Sequence, residues 1–386
     1  MCPSAPWRFL PPDRTAAPPA FARRQAVVDW VIVKIMSVVG ARPQFVKLGP
    51  IVKACQARGD VKHVIVHTGQ HYDPLLSDVF FRDLGIPTPD AHLGVGSGTH
   101  GRQTGAMLAA MDGVLEDHRP DWVLAYGDTN STAAAALAAV KSHVKLAHLE
   151  AGLRSFNRRM PEEHNRILTD HLADLLLAPT EVAVAHLAAE GLAGRTEHVG
   201  DVMTDVCLAT RDAVSDQPVQ VPAVIDANQP FVLATIHRAE NTDDPVRLQQ
   251  ILETLTTVPV PVVLLAHPRL VAVARSHGLD LSAGSLVASD PLAYPQMVRA
   301  VMAASGVVTD SGGLQKEAFL LDTVCTTLRT ETEWTETLES GWNILDPELT
   351  QLADVALRPR PSGGKGEPYG DGNAAERVIQ AIFDHS

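Results

Sequence analysis

The residues that could do chemistry in this sequence recur at one kind of position, directly after short apolar segments. They include two cations, two carboxylates, a histidine and a serine: Arg42, Lys47, Asp128, Glu150, His237 and Ser311. Carboxylates and imidazole transfer protons, whereas arginine and lysine are suited to holding a phosphate. A helix N-cap accounts for Asp128, but not for Arg42, Glu150 or His237. The set therefore predicts acid–base chemistry on an anionic ligand.

Segment 309–317 (TDSGGLQKE) is the best candidate for the anion site. An apolar strand ends at Asp310, two glycines follow, and a helical pattern begins. The free N–H groups and the dipole at such a helix start favour a phosphate. The alternative is a tight turn that needs only the flexibility of glycine, with Asp310 as an ordinary N-cap.

Segment 161–176 predicts an amphipathic helix that carries two further charged candidates, Glu162 and Arg166. Four residues apart, they share one helix face. They form either an ordinary surface pair or a pair at the ligand cleft, where Arg166 would hold Glu162 in place. The residues expected to face inward are Ile167, Leu168, Leu172 and Leu175.

The elements that must position these residues alternate between short β-branched strands and longer helices. Strands are predicted at 31–39, 62–68, 122–126, 144–150, 231–237, 261–267, 285–289, 306–310 and 324–328, and helices at 100–118 and 129–141. Such alternation is typical of parallel sheets covered on both faces. We therefore expect an α/β protein with two Rossmann-like, doubly wound domains facing a cleft. Ligands of such folds bind beyond the carboxyl ends of the strands.

Composition restricts the function classes. The 386 residues include 32 Lys and Arg against 45 Asp and Glu, a net charge of −13, which argues against binding to nucleic acid or to an anionic membrane. The four cysteines (Cys2, Cys55, Cys207 and Cys325) form no CxxC pair, so we expect a reducing, cytoplasmic environment.

Two segments lack the strand–helix alternation of the rest of the chain. Residues 1–30 are rich in Pro and Ala and predict a disordered extension, and residues 215–230 resemble a linker. The GxGxxG match at 96–101 does not follow a good strand, and the 16 histidines show no metal-ligand spacing. We therefore predict neither a cofactor nor a metal.

Six motifs resemble, in order, those of the non-hydrolysing UDP-N-acetylglucosamine 2-epimerases. They are GARPQFVK at 40–47, GDTNST at 127–132, HLEAGLRS at 148–155, MPEEHNR at 160–166, HRAEN at 237–241 and TDSGGLQKEA at 309–318. The resemblance implies a GT-B-like fold and a homodimer that binds a UDP-linked 2-acetamido sugar. It places an N-terminal domain at 31–205, a nucleotide-binding domain at 206–370 and a last helix, within 371–386, packed back on the first domain.

The resemblance also implies residue roles. The catalytic positions are Asp128, Glu150, Glu162 and His237. The candidate substrate contacts are Arg42, Lys47, Gln70, Arg166, Ser311, Gly312, Gly313, Glu317 and Arg329. The implied reaction interconverts UDP-GlcNAc and UDP-ManNAc by anti elimination of UDP to 2-acetamidoglucal and re-addition, in polysaccharide biosynthesis.

The sequence departs from the family at 332–336, where TEWTE replaces TERPE and Trp334 stands in place of a substrate-contacting arginine. This segment, with GQHYD and SFNRRMPEE, resembles the branch that acts on UDP-2,3-diacetamido-2,3-dideoxyglucuronate, which is the alternative substrate. Segment 70–73 (QHYD) differs from the QHRQ-like segment beside which some members bind a second UDP-GlcNAc as activator. A GT-B glycosyltransferase is the alternative of another class, and a sugar-nucleotide sensor is a third.

Overall fold

A computed structural model describes residues 32–70, 85–222 and 224–386. The first half of the described chain forms a fully parallel seven-stranded sheet with the order β3-β2-β1-β4-β5-β6-β7. Its strands are β1 (Val33–Val39), β2 (Val61–His67), β3 (Ala91–His92), β4 (Trp122–Tyr126), β5 (Lys145–Leu149), β6 (Leu175–Ala178) and β7 (Thr196–His198). Its helices are α1 (Arg42–Ala57), α2 (His100–His118), α3 (Asn130–Lys141), α4 (Pro161–Leu172), α5 (Glu181–Ala189) and α6 (Val202–Val214).

The second half forms a parallel six-stranded sheet with the order β10-β9-β8-β11-β12-β13. Its strands are β8 (Val232–Thr235), β9 (Val262–Leu265), β10 (Leu286–Ser289), β11 (Gly306–Thr309), β12 (Cys325–Thr327) and β13 (Asn343–Leu345). The helices of this half are α7 (Ala239–Thr242), α8 (Pro245–Thr256), α9 (Pro268–His277), α10 (Tyr294–Ala303), α11 (Gly312–Leu320), α12 (Thr335–Glu339), α13 (Leu352–Val355) and α14 (Ala374–Asp384).

The strand order fixes which residues meet. In the first sheet β1 pairs with β4 and β4 with β5, so residues after these strands share one edge. In the second sheet β8 pairs with β11, which aligns the residues that follow them. Every residue of β4 in the first sheet and of β11 in the second is buried, which explains their continuous apolar runs.

The last helix returns to the first sheet. Val378, Ile379 and Ile382 of α14 share one buried core cluster with Ile35 of β1 and Leu48 of α1. The carboxylate of Asp205, on α6, accepts hydrogen bonds from the N–H groups of Ala374 and Ala375 at 3.0 and 2.8 Å. The start of α14 is thereby fastened to α6.

The structure differs from several details predicted from the sequence. The predicted extension at 1–30 lies outside the described residues, and the domain boundary at 205/206 lies inside α6, which packs on α1 and on α10. The amphipathic helix ends at Leu172, because Leu175 already belongs to β6. Leu168, expected to face inward, is 43% exposed, since it lies on the outer face of α4. Among the described helices, none has the length and apolar character to cross a bilayer.

Candidate active site

At the carboxyl edge of the first sheet, Lys47 and Glu150 form an ion pair. Lys47 lies in the second turn of α1 and Glu150 directly after β5, and about nine-tenths of each side chain is buried. Burial alone would lower the pKa of Lys47, but the Glu150 carboxylate outweighs it, so the pKa lies above its usual value. The structure thus brings together one predicted base and one predicted cation.

The backbone around this pair is held in an unusual conformation. Glu150 has φ +68°, in the left-handed region that costs a non-glycine residue about 1–2 kcal/mol. Gly127, after β4, also has a positive φ, and a Cβ there would lie 3.1 Å from Glu150 Oε2 and 3.4 Å from Lys47 Nζ. Glu150 therefore combines a left-handed backbone conformation with a carboxylate that packs against the turn at Gly127.

Asp128 is held by Arg166 rather than left as a helix cap. The N-cap of α3 is Thr129, whose hydroxyl accepts from the N–H of Thr132. Arg166 forms ion pairs with Asp128 and, at 2.8 Å, with Glu163. The expected pair between Arg166 and Glu162 is wrong, because the three-residue spacing to Glu163 places that carboxylate, and not Glu162, toward Asp128.

Glu163 was missed by sequence reasoning and has a structural role. It is 1% exposed, and its carboxylate accepts from the N–H and hydroxyl of Ser155 at 2.9 and 2.8 Å and from the N–H of Phe156 at 2.9 Å. Burial would raise the pKa of Glu163, but these hydrogen bonds and Arg166 bring it below its usual value. Glu162 is only partly buried and makes no ion pair or hydrogen bond with other described residues, so its carboxylate is available to a ligand.

A buried network behind Glu150 was also missed. His148, on β5, has Nδ1 2.6 Å from Asp170 Oδ1 and Nε2 2.7 Å from the carbonyl oxygen of Gly127. Arg154 contacts the other Asp170 oxygen at 2.7 Å. Burial raises the pKa of Asp170, but His148 and Arg154 more than offset this and lower it. The network fixes the turn that carries Gly127 and Asp128. The only signal for it in the sequence is His148, a polar residue within an otherwise apolar part of a predicted strand.

At the edge of the second sheet, Asp310 organises the loop that carries His237. Asp310 is fully buried, and its carboxylate accepts from the N–H of His237 at 3.1 Å, the N–H of Arg238 at 3.0 Å and Asn241 Nδ2 at 3.1 Å. The His237 ring is 42% exposed, with Nδ1 3.3 Å from Asp310. The N-cap of α11 is Ser311, so Asp310 does not cap the helix that follows it.

Gly312 and Gly313 form the first turn of α11, as predicted for the anion site. A Cβ on Gly312 would collide with Oε1 of Glu333, whereas at Gly313 only Ser311 Oγ lies within 4 Å. Arg329 contacts Glu333 at 2.8 Å and lies 3.8 Å from Glu240. A carboxylate and a cation therefore stand beside this helix start.

Glu317 lies one turn into α11. Burial of its carboxylate raises the pKa of Glu317 to about 7, against the opposing effects of Tyr294 and Lys316. Lys316 forms a buried ion pair with Asp201, the N-cap of α6.

The Lys316–Asp201 pair connects the two sheet edges. Asp201 raises the pKa of Lys47 as well as pairing with Lys316, so its carboxylate lies near cations of both halves. The first-sheet cluster around Glu150 and the α11 start thus flank one junction. No group of three His, Cys, Asp or Glu side chains in the described ranges is arranged to hold a metal ion.

The remaining predicted contacts are Gln70 and Arg42. Gln70 is 8% exposed, and its amide oxygen accepts from the N–H and hydroxyl of Ser131 at 2.9 and 2.7 Å, which anchors the start of α3. Arg42 is the first residue of α1 and is exposed at the edge of the sheet.

Comparison with known proteins decides the family. A family model described as UDP-N-acetylglucosamine 2-epimerase matches residues 53–383. The chain belongs to the UDP-N-acetylglucosamine 2-epimerase family. A relative from Pseudomonas aeruginosa, named UDP-2,3-diacetamido-2,3-dideoxy-D-glucuronate 2-epimerase, is 45% identical over 360 residues, which are 90% of this chain and 99% of the relative.

Solved structures of epimerases from this family superpose on the chain. That of Methanocaldococcus jannaschii UDP-GlcNAc 2-epimerase, in complex with UDP-GlcNAc and UDP, is 36% identical with a TM-score of 0.77, over 92% of this chain and 100% of that one. The Neisseria meningitidis UDP-GlcNAc 2-epimerase, bound to UDP-GlcNAc, is 27% identical with a TM-score of 0.80, over 91% and 100%. The predicted GT-B-like fold is confirmed, and so is the prediction of an epimerase, an enzyme of the isomerase class.

Proposed function

We propose that the chain inverts carbon 2 of UDP-N-acetylglucosamine to give UDP-N-acetylmannosamine. The observation that supports this most directly is the pairing of two kinds of site. Two carboxylates that each contact a cation, Asp128 and Glu150, lie at the edge of one sheet, and a glycine-flanked helix start suited to a diphosphate lies at the edge of the other.

The chemistry explains why both are needed. The C–H bond at carbon 2 has no neighbouring carbonyl to acidify it, so UDP must leave for the proton to be lost. A carboxylate takes the proton, the C–H electrons form a C1=C2 double bond, and the C1–O bond breaks to release UDP. UDP oxygen then attacks C1 of 2-acetamidoglucal while a proton is delivered to the opposite face of C2.

We assign the proton transfers to Asp128, Glu150 and Glu162. Arg166 holds Asp128 in place and Lys47 holds Glu150. Glu162 has no partner among the described residues, so its carboxylate can exchange a proton with the sugar. His237, Arg42 and the start of α11 stabilise the departing diphosphate. Gln70, Glu317 and Arg329 complete the substrate contacts.

A second substrate, UDP-2,3-diacetamido-2,3-dideoxyglucuronate, is favoured by one observation. The relative named for it is 45% identical, against 36% for a UDP-N-acetylglucosamine 2-epimerase from Methanocaldococcus jannaschii. The carbon 2 chemistry is the same for both substrates, so only the substituents at sugar carbons 3 and 6 differ.

We also propose that the enzyme is a cytoplasmic homodimer that supplies polysaccharide biosynthesis. The exposed apolar side chains of Phe156, Met160 and Leu168, on and just before α4, support a surface that a second copy covers. Light scattering coupled to gel filtration tests this: a mass of one chain at micromolar concentration contradicts the dimer.

The decisive experiment follows deuterium. The enzyme is incubated in deuterated water with each of the two sugar nucleotides, and carbon 2 of the recovered material is examined by NMR. Deuterium at carbon 2 supports epimerisation, and the faster substrate is the physiological one. A glycosyltransferase would leave carbon 2 unlabelled, and the absence of exchange with both substrates would refute the proposal.

A further inference from the structure

The helix start at α11 offers hydrogen-bond donors that its own side chains do not use. Within the described ranges, Ser311 Oγ accepts a hydrogen bond from the N–H of Leu314, at 3.5 Å, and from no other group. The first-turn N–H groups of Gly312 and Gly313 have no acceptor among the described residues, as is usual for the first turn of a helix. The side-chain position of Gly312 borders the loop that ends at Trp334.

Trp334 places a further unused donor at this point. Its side chain is 9% exposed, and its indole N–H has no acceptor within the described part of the chain. The nitrogen lies 3.6 Å from the position that a Cβ on Gly312 would occupy. A buried N–H without an acceptor is costly, and the position of this one beside Gly312 brings it within reach of a ligand bound at the start of α11.

The indole is fixed in this orientation from several sides. Lys316 Nζ lies 4.2 Å from the ring centroid, and the Tyr369 ring meets it edge-on at 5.6 Å. The backbone N–H of Trp334 donates to Thr332 Oγ1 at 3.2 Å, and that hydroxyl donates to Gln315 Oε1, on α11, at 2.6 Å. The donor is therefore preorganised rather than recruited by a rearrangement.

We propose that the indole N–H of Trp334 donates a hydrogen bond to a phosphate oxygen of the nucleoside diphosphate bound at the start of α11. This inference rests on the proposed function, which supplies the diphosphate. Trp334 then completes the cradle of Gly312 and Gly313 with a neutral donor. Binding of the diphosphate also gives the buried N–H the acceptor it lacks.

Glu333 occupies the same space in the unliganded chain. Its carboxylate stands where a side chain of Gly312 would project, and Arg329 holds it at 2.8 Å. A phosphate and a carboxylate repel each other at this distance, so diphosphate binding displaces Glu333. Glu333→Gln, which removes this charge, is expected to tighten UDP binding about three- to tenfold in calorimetry; weaker binding would show that Glu333 is not displaced.

The direct test observes the indole proton itself. The sequence has five tryptophans, and their indole N–H signals in 15N-labelled enzyme are assigned with Trp→Phe variants at 122, 334 and 342. On titration with UDP, the Trp334 signal is expected to move downfield. The Trp122 indole, which already donates to Ser386 Oγ at 3.0 Å, provides the reference for a signal that stays in place.

Affinity gives the second measurement. Trp334→Phe keeps an aromatic ring beside Lys316 but removes the N–H, and should weaken UDP binding about tenfold or more, as expected for a hydrogen bond to a charged group. Trp342→Phe is the matched control, because Trp342 is equally buried with an unpaired indole N–H but lies before β13. Its dissociation constant should stay within about twofold.

The outcomes separate two failures. If wild-type enzyme binds UDP while the Trp334 signal stays in place, the role of Trp334 is refuted and the proposed function stands. If wild-type enzyme does not bind UDP, the proposed function itself fails. Should Trp334→Phe not fold, the wild-type titration still decides, because Trp→Phe variants at 7, 30, 122 and 342 assign the other four indole signals and leave that of Trp334.

Discussion

The two sheet edges hold their carboxylates by different means. At the first edge two of the three proposed proton carriers face a cation, Glu150 with Lys47 and Asp128 with Arg166. At the second edge Asp310 is surrounded by neutral N–H donors from the His237 loop, and burial raises the pKa of Glu317 to about 7. One edge thus pairs carboxylates with cations, and the other presents N–H donors.

This difference matches the division of labour in the proposed reaction. A carboxylate that takes the proton from carbon 2 must be held in position when the sugar arrives, and an ion pair with a cation does this for Asp128 and Glu150. A diphosphate brings its own negative charge, so the edge that receives it needs donors and few free carboxylates. The exception is Glu333, whose carboxylate fills the anion position until it is displaced.

The largest effect is expected from breaking the first edge. Glu150→Gln removes the negative charge beside Lys47 and should lower the rate of deuterium exchange at carbon 2 about 1000-fold, within the range for loss of general acid–base catalysis. UDP affinity should remain, because the diphosphate binds at the other edge. Exchange is measured by NMR and affinity by calorimetry.

Glu116→Gln, an exposed glutamate on α2, is the control and should exchange at the wild-type rate. If Glu150→Gln loses UDP affinity as strongly as exchange, Glu150 holds the structure together and the contrast between the edges disappears.

The positions of these groups at the strand ends could be predicted from the sequence. Apolar strands alternate with helices, and parallel sheets bring the strand ends to one edge, so Asp128, Glu150 and His237 fall where the pattern places them. Nothing in this inference depends on detailed packing. For the same reason the doubly wound fold class was predictable.

The partners of these groups were not predictable. Glu162 and Glu163 both lie within one helical turn of Arg166, and the contacts of Glu163 with Ser155 and Phe156, which fix it beside Arg166, cannot be read from the sequence. Lys316 and Asp201 are 115 residues apart, and a single sequence carries no sign of their pairing. Asp310 occupies an N-cap position in the sequence, but its carboxylate accepts instead from the N–H groups of His237 and Arg238, in the loop after β8.

The second edge can be broken at Asp310. Asp310→Asn places an amide NH2 group among N–H donors and leaves at least one of them without an acceptor, so UDP affinity should fall about tenfold or more. The reason is that the His237 loop loses its anchor. Calorimetry with UDP and thermal unfolding of the free enzyme measure the two effects.

Asp346→Asn is a matched control, since Asp346 is 3% exposed and accepts from the N–H groups of Thr350 and Gln351 at 3.0 and 3.1 Å. It should lower the melting temperature without changing UDP affinity. Equal losses of UDP affinity in the two variants would mean that Asp310 has no particular link to the ligand.

A smaller effect is expected within the helix start. The methyl group of Gly312→Ala would collide with the Glu333 carboxylate and project into the anion position, so UDP affinity should fall about three- to tenfold. Gly313→Ala meets almost nothing and should bind UDP as the wild type does. A larger loss at Gly313 than at Gly312 would place the diphosphate elsewhere on α11.

The smallest effect concerns stability and sharpens the electrostatic side of the comparison. Because burial raises the pKa of Glu317 from 4.5 to about 7, the folded chain binds this proton more tightly than the unfolded chain. Its contribution to stability is complete below pH 4.5 and is lost as the pH rises through about 7. Glu317→Gln, which never ionises, should therefore gain stability over the wild type only at higher pH.

The measurement is the melting temperature of the unliganded enzyme at pH 5 and pH 8. The advantage of Glu317→Gln should grow by a few degrees between the two, on the order of 2–5 °C. Glu253→Gln, on the exposed face of α8, should show no such change. An advantage that is equal at both pH values would mean that burial does not raise the pKa of Glu317, and that the second edge does not control charge by burial.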